Sequence, residues 1–421
     1  LNILIIGRGG REHAIIWALQ RHDASRRIYC APGNAGTAEL ATNVDIGEME
    51  FARLVSFARD NAIDLVVVGP DDPLAAGIVD AFEEAGIPVY GPRRNAAEIE
   101  GSKIFMKNLL HKYEIPTAQY AAFTDYEAAQ AYLDTQPVPI VIKADGLAAG
   151  KGVTVCFTRE EAHHALRNTM LNKSFGAAGD KVVIEEFLQG QEMSILAFVD
   201  GETVRPMPPA QDHKPVFDGD QGPNTGGMGT YSPLPHIPKS VVDEAIETIV
   251  RPTARAMVAE GRPFCGVLFA GLMITEDGPK TIEFNARFGD PETQVVLPRL
   301  ETDLLDIFLA SLNGELDKVD IRWSRDAAVC VVLASEGYPG SYAKGLPIQG
   351  LEQIKESDGL IFHAGTLSEG DKVLTNGGRV LGIVGRGADI AQARDKAYAA
   401  AERITFEGKF NRTDIAAKAV R

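Results

Sequence analysis

The chain has 421 residues, 45% apolar and 24% charged, with a formal net charge of -16, which predicts roughly three globular domains with a sizeable core. That acidic balance would repel a nucleic-acid backbone, so no nucleic-acid partner is expected and any phosphorylated ligand must be held by a local cluster of donors. The cysteines Cys30, Cys156, Cys265 and Cys330 stand far apart, with neither metal-ligand nor disulfide spacing, which excludes a disulfide framework and predicts a reducing, cytoplasmic setting.

The opening "LNILIIGRGG" has no basic leader and no cleavage site, so it reads as a strand and a turn and not as a signal peptide. Leu1 stands where an initiator Met is expected, which predicts trimming there. "NILIIG", "RIYCAPG", "DLVVVGP" and "IPVYGP" read as buried parallel strands. "REHAIIWALQR", "EFARLVSFARDN" and "LAAGIVDAFEEAG" carry helical periodicity between them. The sequence thus predicts a doubly wound α/β unit over residues 1–100, with ligands beyond the carboxyl ends of its strands. "GRGGRE" resembles a dinucleotide fingerprint, but Glu12 stands where a third small residue is needed. The second strand ends in "APGNAG" without the ribose-binding acid, so NAD is not expected. Backbone N–H groups around Gly9, Gly10, Gly33 and Gly36 could instead hold one phosphate monoester.

Residues 118–190 predict a small α+β unit, with strands "AQYAAF", "PIVIKAD", "GVTVCF" and "KVVIEEF" and helices near 125–134 and 159–169. Two of its strands are joined by "DGLAAGKGVTV". This is not a P-loop, because only three residues separate Gly146 from Gly150, and Gly152 follows Lys151 where a metal-binding hydroxyl should be. Lys143, Lys151 and Lys103 are nonetheless placed around the glycine turns to grip phosphates. In "VVIEEFLQGQE", adenine could rest on Phe187 and Leu188 and Glu192 could take ribose hydroxyls. Residues 101–117 and 191–324 predict a larger α+β core. Its loop "QDHKPVFDGDQGPNTGGMGTYSP" is long enough to carry binding. Asp212, His213, Lys214, Asn224 and Thr225 there offer charges of both signs for a small zwitterion. In "KTIEFNARFGDPE", strand alternation puts Glu283, Asn285 and Arg287 in one row, with Ile282 and Phe284 toward the core. A carboxylate and an amide oxygen so spaced suit a hard cation such as Mg2+ that keeps its waters and a nucleotide's phosphates. Residues 325–421 predict a β-rich C-terminal unit, with "AAVCVVLAS", "LIFHAGT" and a Gly-rich hairpin "VLTNGGRVLGIVGRG" under a helix near 388–404. No apolar stretch approaches a membrane span, so no membrane partner is expected.

Taken together, "GRGGREHA", "APGNAGT", "VGPDDPL", "EGSKIFMK", "IVIKADGLAAGKGV", "VIEEFLQGQE", "QDHK", "GPNTGGMGTYSP" and "IEFNARFGDPETQ" resemble the ATP-grasp carbon–nitrogen ligases, and among these the phosphoribosylamine–glycine ligase family. The resemblance covers about residues 1–300. It implies an N-terminal α/β domain, an ATP-grasp lid and core, and a β-rich C-terminal domain, acting as a monomer. It also implies ATP and Mg2+ (or Mn2+) as cofactors, and glycine and 5-phosphoribosylamine as substrates joined through a glycyl phosphate. Carried over by motif, Lys103, Lys143, Gly146, Gly150, Lys151 and Gly152 would grip the ATP phosphates. Glu185, Glu186, Phe187, Leu188 and Glu192 would hold adenosine, and Glu283 and Asn285 the metal. Arg287 would stabilise the transferring phosphoryl group. Gly9, Gly10, Asn34 and Asp71 would take phosphoribosylamine. Asp212, His213, Lys214, Asn224, Thr225, Gly226, Asp290 and Glu292 would hold glycine and the reacting centre, with Asp212, Lys214, Asp290, Lys143 and Arg287 catalytic. Two departures stand out: Asp71 occupies a position where Glu is expected, and "VLFAGLMI" lacks the acidic metal ligand of many ATP-grasp enzymes. Another ATP-grasp carboxylate–amine ligase and a non-catalytic nucleotide-binding homologue are the alternatives.

Overall fold

Apolar runs long enough to be buried on both faces form the first sheet, as parallel strands require. In the computed structural model, which describes residues 1–421, its order is Thr42–Asn43, Arg27–Pro32, Asn2–Gly7, Leu65–Val68, Val89–Tyr90. Every pairing between these strands is parallel. The order reverses between Asn2–Gly7 and Leu65–Val68, the switch point where such sheets bind ligands. Glu12 fills the dinucleotide position at that point. A Cβ added at Gly7 would lie 2.0 Å from its carboxylate oxygen, and one at Gly69 2.7 Å from its Cδ. The carboxylate therefore rests against both strand ends.

The small unit is an antiparallel sheet ordered Tyr120–Phe123, Val182–Glu186, Ile140–Ala144, Val153–Cys156. Asp125 and Thr158 cap its two helices, accepting from Ala128 N and Glu161 N. It has an apolar core of its own, 11 buried residues separate from the larger clusters. The core sheet runs Thr203–Pro206, Gln191–Asp200, Cys265–Thr275, Gly278–Asn285, again antiparallel. A helix from Lys239 to Ala259, loosened by one π turn at Ile246–Val250, accompanies it.

Strands Gln211–Asp212 and Gly229–Ser232 from the long loop do not join the core sheet. They extend the C-terminal sheet through Ala327–Ser335, followed by Arg379–Gly387 and Leu360–His363. The Gly-rich hairpin expected over 373–387 is not formed. Lys372–Thr375 pairs with Thr366–Glu369, and Arg379–Gly387 pairs with Ala327–Ser335 and Leu360–His363. The glycines mark a close crossing and not a hairpin turn, since a Cβ on Gly377 would sit 2.9 Å from the Cα of Gly365. No helix is long and apolar enough to cross a membrane.

Candidate active site

Side chains from the N-terminal, small, core and C-terminal units meet in one cleft, among them Asp71, Lys143, Glu283 and Arg379. The cleft has a cavity volume of about 420 Å³, within the roughly 300–1,000 Å³ of ordinary ligand pockets. Val141, Val155, Phe187, Leu188 and Met273 give it apolar lining suited to a base, while Lys103, Lys143, Lys214, Glu283, Asn285 and Arg287 give it charge. The lysines of the glycine-loop region and the acid–amide pair of a distant strand thus face the same space.

Glu283 and Asn285 are aimed there by a β-bulge. Opposite Cys265–Thr275 the register steps from Glu283↔Gly271 to Thr281↔Leu272, which leaves Ile282 as the extra residue. Ile282 consequently lines the cleft and is not core, contrary to simple alternation, while Phe284 is buried as expected. A bulge re-aims side chains in just this way. Lys214 Nζ lies 3.6 Å from Glu283 Oε1. Burial pushes the Glu283 carboxyl up, but Lys214, Lys143, Lys103 and Arg287 together hold it below the usual range. Arg287 Nη2 reaches Glu100 Oε1 at 3.0 Å, and Glu100 Oε2 accepts from Ala286 N at 2.9 Å. Glu100 is a site residue that motif reading missed. Its only signal is an acid ending the helix Arg94–Gly101 just before the "GSK" turn.

No three His, Cys, Asp or Glu side chains cluster so as to hold a metal by themselves. One carboxylate with one amide suits a cation whose remaining ligands are water and phosphate. The buried Glu292 Oε2, also facing the cleft, has no hydrogen-bond partner, so the acidic wall retains capacity for a bound cation. The donor set fits a divalent cation carried with a nucleotide.

Lys103 and Lys143 both reach the cleft. Lys103 Nζ donates to Gly146 O at 3.2 Å, and Asp145, another missed residue, anchors the helix start by accepting from Ile104 N at 2.8 Å. Lys143 Nζ donates to Ile282 O at 3.3 Å and pairs with Glu185. Glu185 borders the cleft, and its carboxylate pairs with Lys143 and with the buried Lys107, whose Nζ is 2.5 Å away. Glu186, Phe187, Leu188 and Glu192 remain at the cleft wall. Gly150 and Gly152 line it as well, whereas Gly146 and Lys151 do not, and Lys151 is exposed to solvent.

The long loop presents Asp212, Lys214, Asn224, Thr225 and Gly226 to the cleft, with Asp290 and Glu292 nearby. Burial and Glu292 push the Asp212 carboxyl up. Burial would lower Lys214, but Glu283, Glu192 and Asp212 outweigh it and hold the ammonium charged. His213, expected among the zwitterion's contacts, lies just past the strand Gln211–Asp212 and between two cleft-facing neighbours, but its ring is turned into the protein. It is 4% exposed, its Nδ1 is 2.9 Å from Gly229 O, and its Nε2 accepts from Ala416 N. Burial lowers its pKa from 6.5 to about 4, and that of His363 likewise to about 4. Both groups favour the folded state when neutral. Their stabilisation is whole above pH 6.5, where the unfolded chain is also neutral, and is lost as pH falls from 6.5 toward 4. The urea midpoint should therefore drop by the equivalent of about 2–3 kcal/mol per histidine across that window, and His213→Asn should flatten the drop.

From the helices of the N-terminal unit, Asp71 reaches the cleft and so does Arg11, a further missed residue. Asn34 does not. Its Nδ2 donates to Arg8 O and His363 O, both at 2.8 Å, and its Oδ1 accepts from Gly36 N and Thr37 N. Every donor and acceptor is used in holding the turn, so Asn34 has none left for a phosphate. Gly9 and Gly10 pack against the segment after the strand Gly278–Asn285, with added Cβ atoms 3.3 Å from Asp290 Oδ2 and 2.6 Å from Gln294 Nε2.

The chain matches, in order, the models of the phosphoribosylglycinamide synthetase N domain at residues 1–100, ATP-grasp (A) domain at 101–293 and C domain at 328–418. It is 52% identical over 420 residues to a phosphoribosylamine–glycine ligase of Halalkalibacterium halodurans, covering 100% of this chain and 97% of that one. A crystal structure of a phosphoribosylamine–glycine ligase from Thermotoga maritima superposes with a TM-score of 0.87 at 36% identity, covering 99% of this chain and all of that one. The biotin carboxylase domain of a Hydrogenobacter thermophilus 2-oxoglutarate carboxylase shares the fold at a TM-score of 0.75 and 16% identity. Domain order, full-length identity and a cleft built from all four units lead to one assignment: the chain belongs to the phosphoribosylglycinamide synthetase family.

Proposed function

We propose that this chain ligates glycine to 5-phosphoribosylamine at the expense of ATP, giving glycinamide ribonucleotide, ADP and phosphate. The observation that carries the proposal is the convergence of Lys103, Lys143, Lys214 and Arg287 with Glu283 and Asn285 on a cleft that also admits Asp71 and the 212–226 loop. A triphosphate and two small substrates can meet there. Membership of the family, with relatives of that name across the whole length, gives the same reading.

Adenine would lie against Phe187, Leu188 and Met273, with Glu192 near the ribose, and Lys103 and Lys143 on the phosphates. Glu283 and Asn285 would hold Mg2+ or Mn2+, which when bound draws charge from the phosphate oxygens. A carboxylate oxygen of glycine, steered by Lys214, attacks the γ-phosphorus, and the bond to ADP breaks with Arg287 taking up charge on the phosphoryl oxygens. The amine nitrogen of phosphoribosylamine then attacks the carbonyl carbon of glycyl phosphate. Phosphate leaves with the bonding pair, and the new ammonium gives up a proton to become the amide. No strong base is needed, because the amine is already nucleophilic, so positioning and charge carry the rate. Asp71 would meet the ribose, one methylene shorter than a Glu. The unit at 118–190 would act as a lid that keeps water from the acyl phosphate. Every group named comes from one chain, which suits a monomer, and four free cysteines suit the cytoplasm.

ADP release with phosphoribosylamine generated in situ tests this. Release is expected with glycine, to be absent without it, and to be small with other amino acids. Glycine-independent release, or none, would reject the reaction.

A further inference from the structure

The C-terminal unit contacts the cleft through Arg379, and the ligation chemistry above gives that residue no part. Its placement is elaborate. A Cβ on Gly378 would lie 2.1 Å from the Tyr338 ring, so the chain can enter the strand Arg379–Gly387 only by lying flat on that ring. At the same point the pairing with Ala327–Ser335 shifts register, setting Arg379 opposite Ala334. The guanidinium then reaches two other segments at once. Nη1 donates to Gly226 O at 2.9 Å and to Asp290 O at 3.1 Å, and Nη2 lies 3.6 Å from Asp290 Oδ1.

Gly226 is held at both ends. Its N–H donates to Tyr338 Oη at 3.0 Å while its carbonyl accepts from Arg379. A Cβ there would be 2.9 Å from Arg379 Cζ, so only glycine lets the guanidinium plane lie on this backbone. The next residue, Gly227, has φ +126°, and a Cβ on it would be 2.6 Å from Asp212 Oδ2. The backbone that Arg379 and Tyr338 fix is thus the backbone against which the Asp212 carboxylate rests. Asp290, the other end of the strut, also feels Arg11 from the first helix, Gly10–Gln20.

We infer that Arg379 is a positioning residue for the acceptor half of the reaction: it sets Gly226–Gly227 and Asp290 so that glycyl phosphate is met by the amine and not by water. The inference rests on the ligation reading. Without the strut, a water oxygen attacks the carbonyl carbon, phosphate leaves, and glycine is regenerated. The net result is ATP hydrolysis that still requires glycine. Nucleotide binding, which uses other walls of the cleft, is untouched.

The test compares ADP formed with glycinamide ribonucleotide formed, and KM for glycine with KM for ATP, in wild type, Arg379→Gln, Arg379→Lys and Tyr338→Phe. Wild type should give one product per ADP. Arg379→Gln should raise KM for glycine about tenfold, the effect of losing charge-assisted bonds, and release excess ADP, with KM for ATP changed less than about twofold. Lysine keeps the charge without the planar fork, so Arg379→Lys should fall between. Tyr338→Phe, which removes one bond to Gly226, should shift the product ratio in the same direction. Should Arg379→Gln not fold, as judged by thermal melting, the lysine and phenylalanine variants carry the test. Variants that stay fully coupled, or that raise KM for ATP as much as KM for glycine, overturn the inference. A wild type that releases ADP without glycine overturns the ligation reading itself, and the inference with it.

Discussion

Arg287→Ala should lower kcat about 10³-fold, the scale at which an arginine facing a transferring phosphoryl group contributes. That is about 4 kcal/mol of transition-state stabilisation. The side chain is fixed before any ligand arrives: Nη2 on Glu100 at 3.0 Å, Nη1 on Phe288 O at 3.2 Å. Its Nε–H is buried without a partner. An unsatisfied donor on a guanidinium already held in place is what a phosphoryl oxygen would complete. KM for ATP should change much less than kcat, because Lys103 and Lys143 still reach the cleft. Arg287→Lys should recover little, since a lysine cannot keep Glu100 and offer a second donor in the same plane. Glu100→Gln should cost less than Arg287→Ala, and the double variant little more than Arg287→Ala alone, because Glu100 acts through the arginine. Stability should hardly move. Burial already pushes the Glu100 carboxyl up against the pull of Arg287, so with the arginine gone it can take a proton and avoid a buried, unpaired charge. Single-turnover measurement of ADP formation checks the prediction, and a loss below tenfold would remove Arg287 from the chemistry.

The strands of the N-terminal sheet were legible because they are buried on both faces and read as unbroken apolar runs ended by Gly or Pro. The acid–amide strand was legible in composition, but its bulge was not. Bulges depend on the partner strand, so simple alternation places Ile282 in the core although it faces the cleft. His213 and Asn34 show the same limit from the other side. Each is a polar residue in a functional motif, yet each spends its bonds on the backbone of its own loop and of the C-terminal unit, at Ala416 and His363. Polarity in a motif identifies the loop that matters, not which residue of it meets the ligand. Arg11, Glu100 and Arg379 were missed because only tertiary contacts bring them to the cleft. Arg379 pairs with residues 89 and 153 positions away in sequence. The predicted hairpin failed for a related reason: glycines that permit close backbone crossing look, in sequence, like glycines that permit a turn.

Glu185→Leu is the change expected to harm stability most, by about 3–5 kcal/mol, as when one partner of a buried ionic group is removed. Glu185, Lys107 and Lys143 are 4%, 0% and 4% exposed. Burial pushes the Glu185 carboxyl up, yet Lys143 and Lys107 hold it below the ordinary carboxylate range. The folded state therefore favours the ionised acid. That stabilisation is present above the unfolded pKa near 4.5 and is lost as pH falls through the lower folded value. Lys107 comes from the helix Lys103–Lys112, Glu185 from an inner strand of the small sheet and Lys143 from its neighbour. The triad thus ties that sheet to the helix that brings Lys103 to the cleft. Leucine at 185 would leave two buried ammonium groups facing each other. Lys107, which burial already lowers, would be the one to give up its proton. Restoring balance should restore stability: Lys107→Met combined with Glu185→Leu leaves Lys143 as a single cation facing the cleft, where Glu283 still attracts it, and should recover most of the loss. Urea unfolding at pH 7 should show both effects, and the gap between wild type and Glu185→Leu should narrow below about pH 4.5 as the wild-type carboxylate takes up its proton. A single variant within about 1 kcal/mol of wild type, the value of an exposed ion pair, would mean that water reaches the triad and that Lys143 is not held in place before a nucleotide binds.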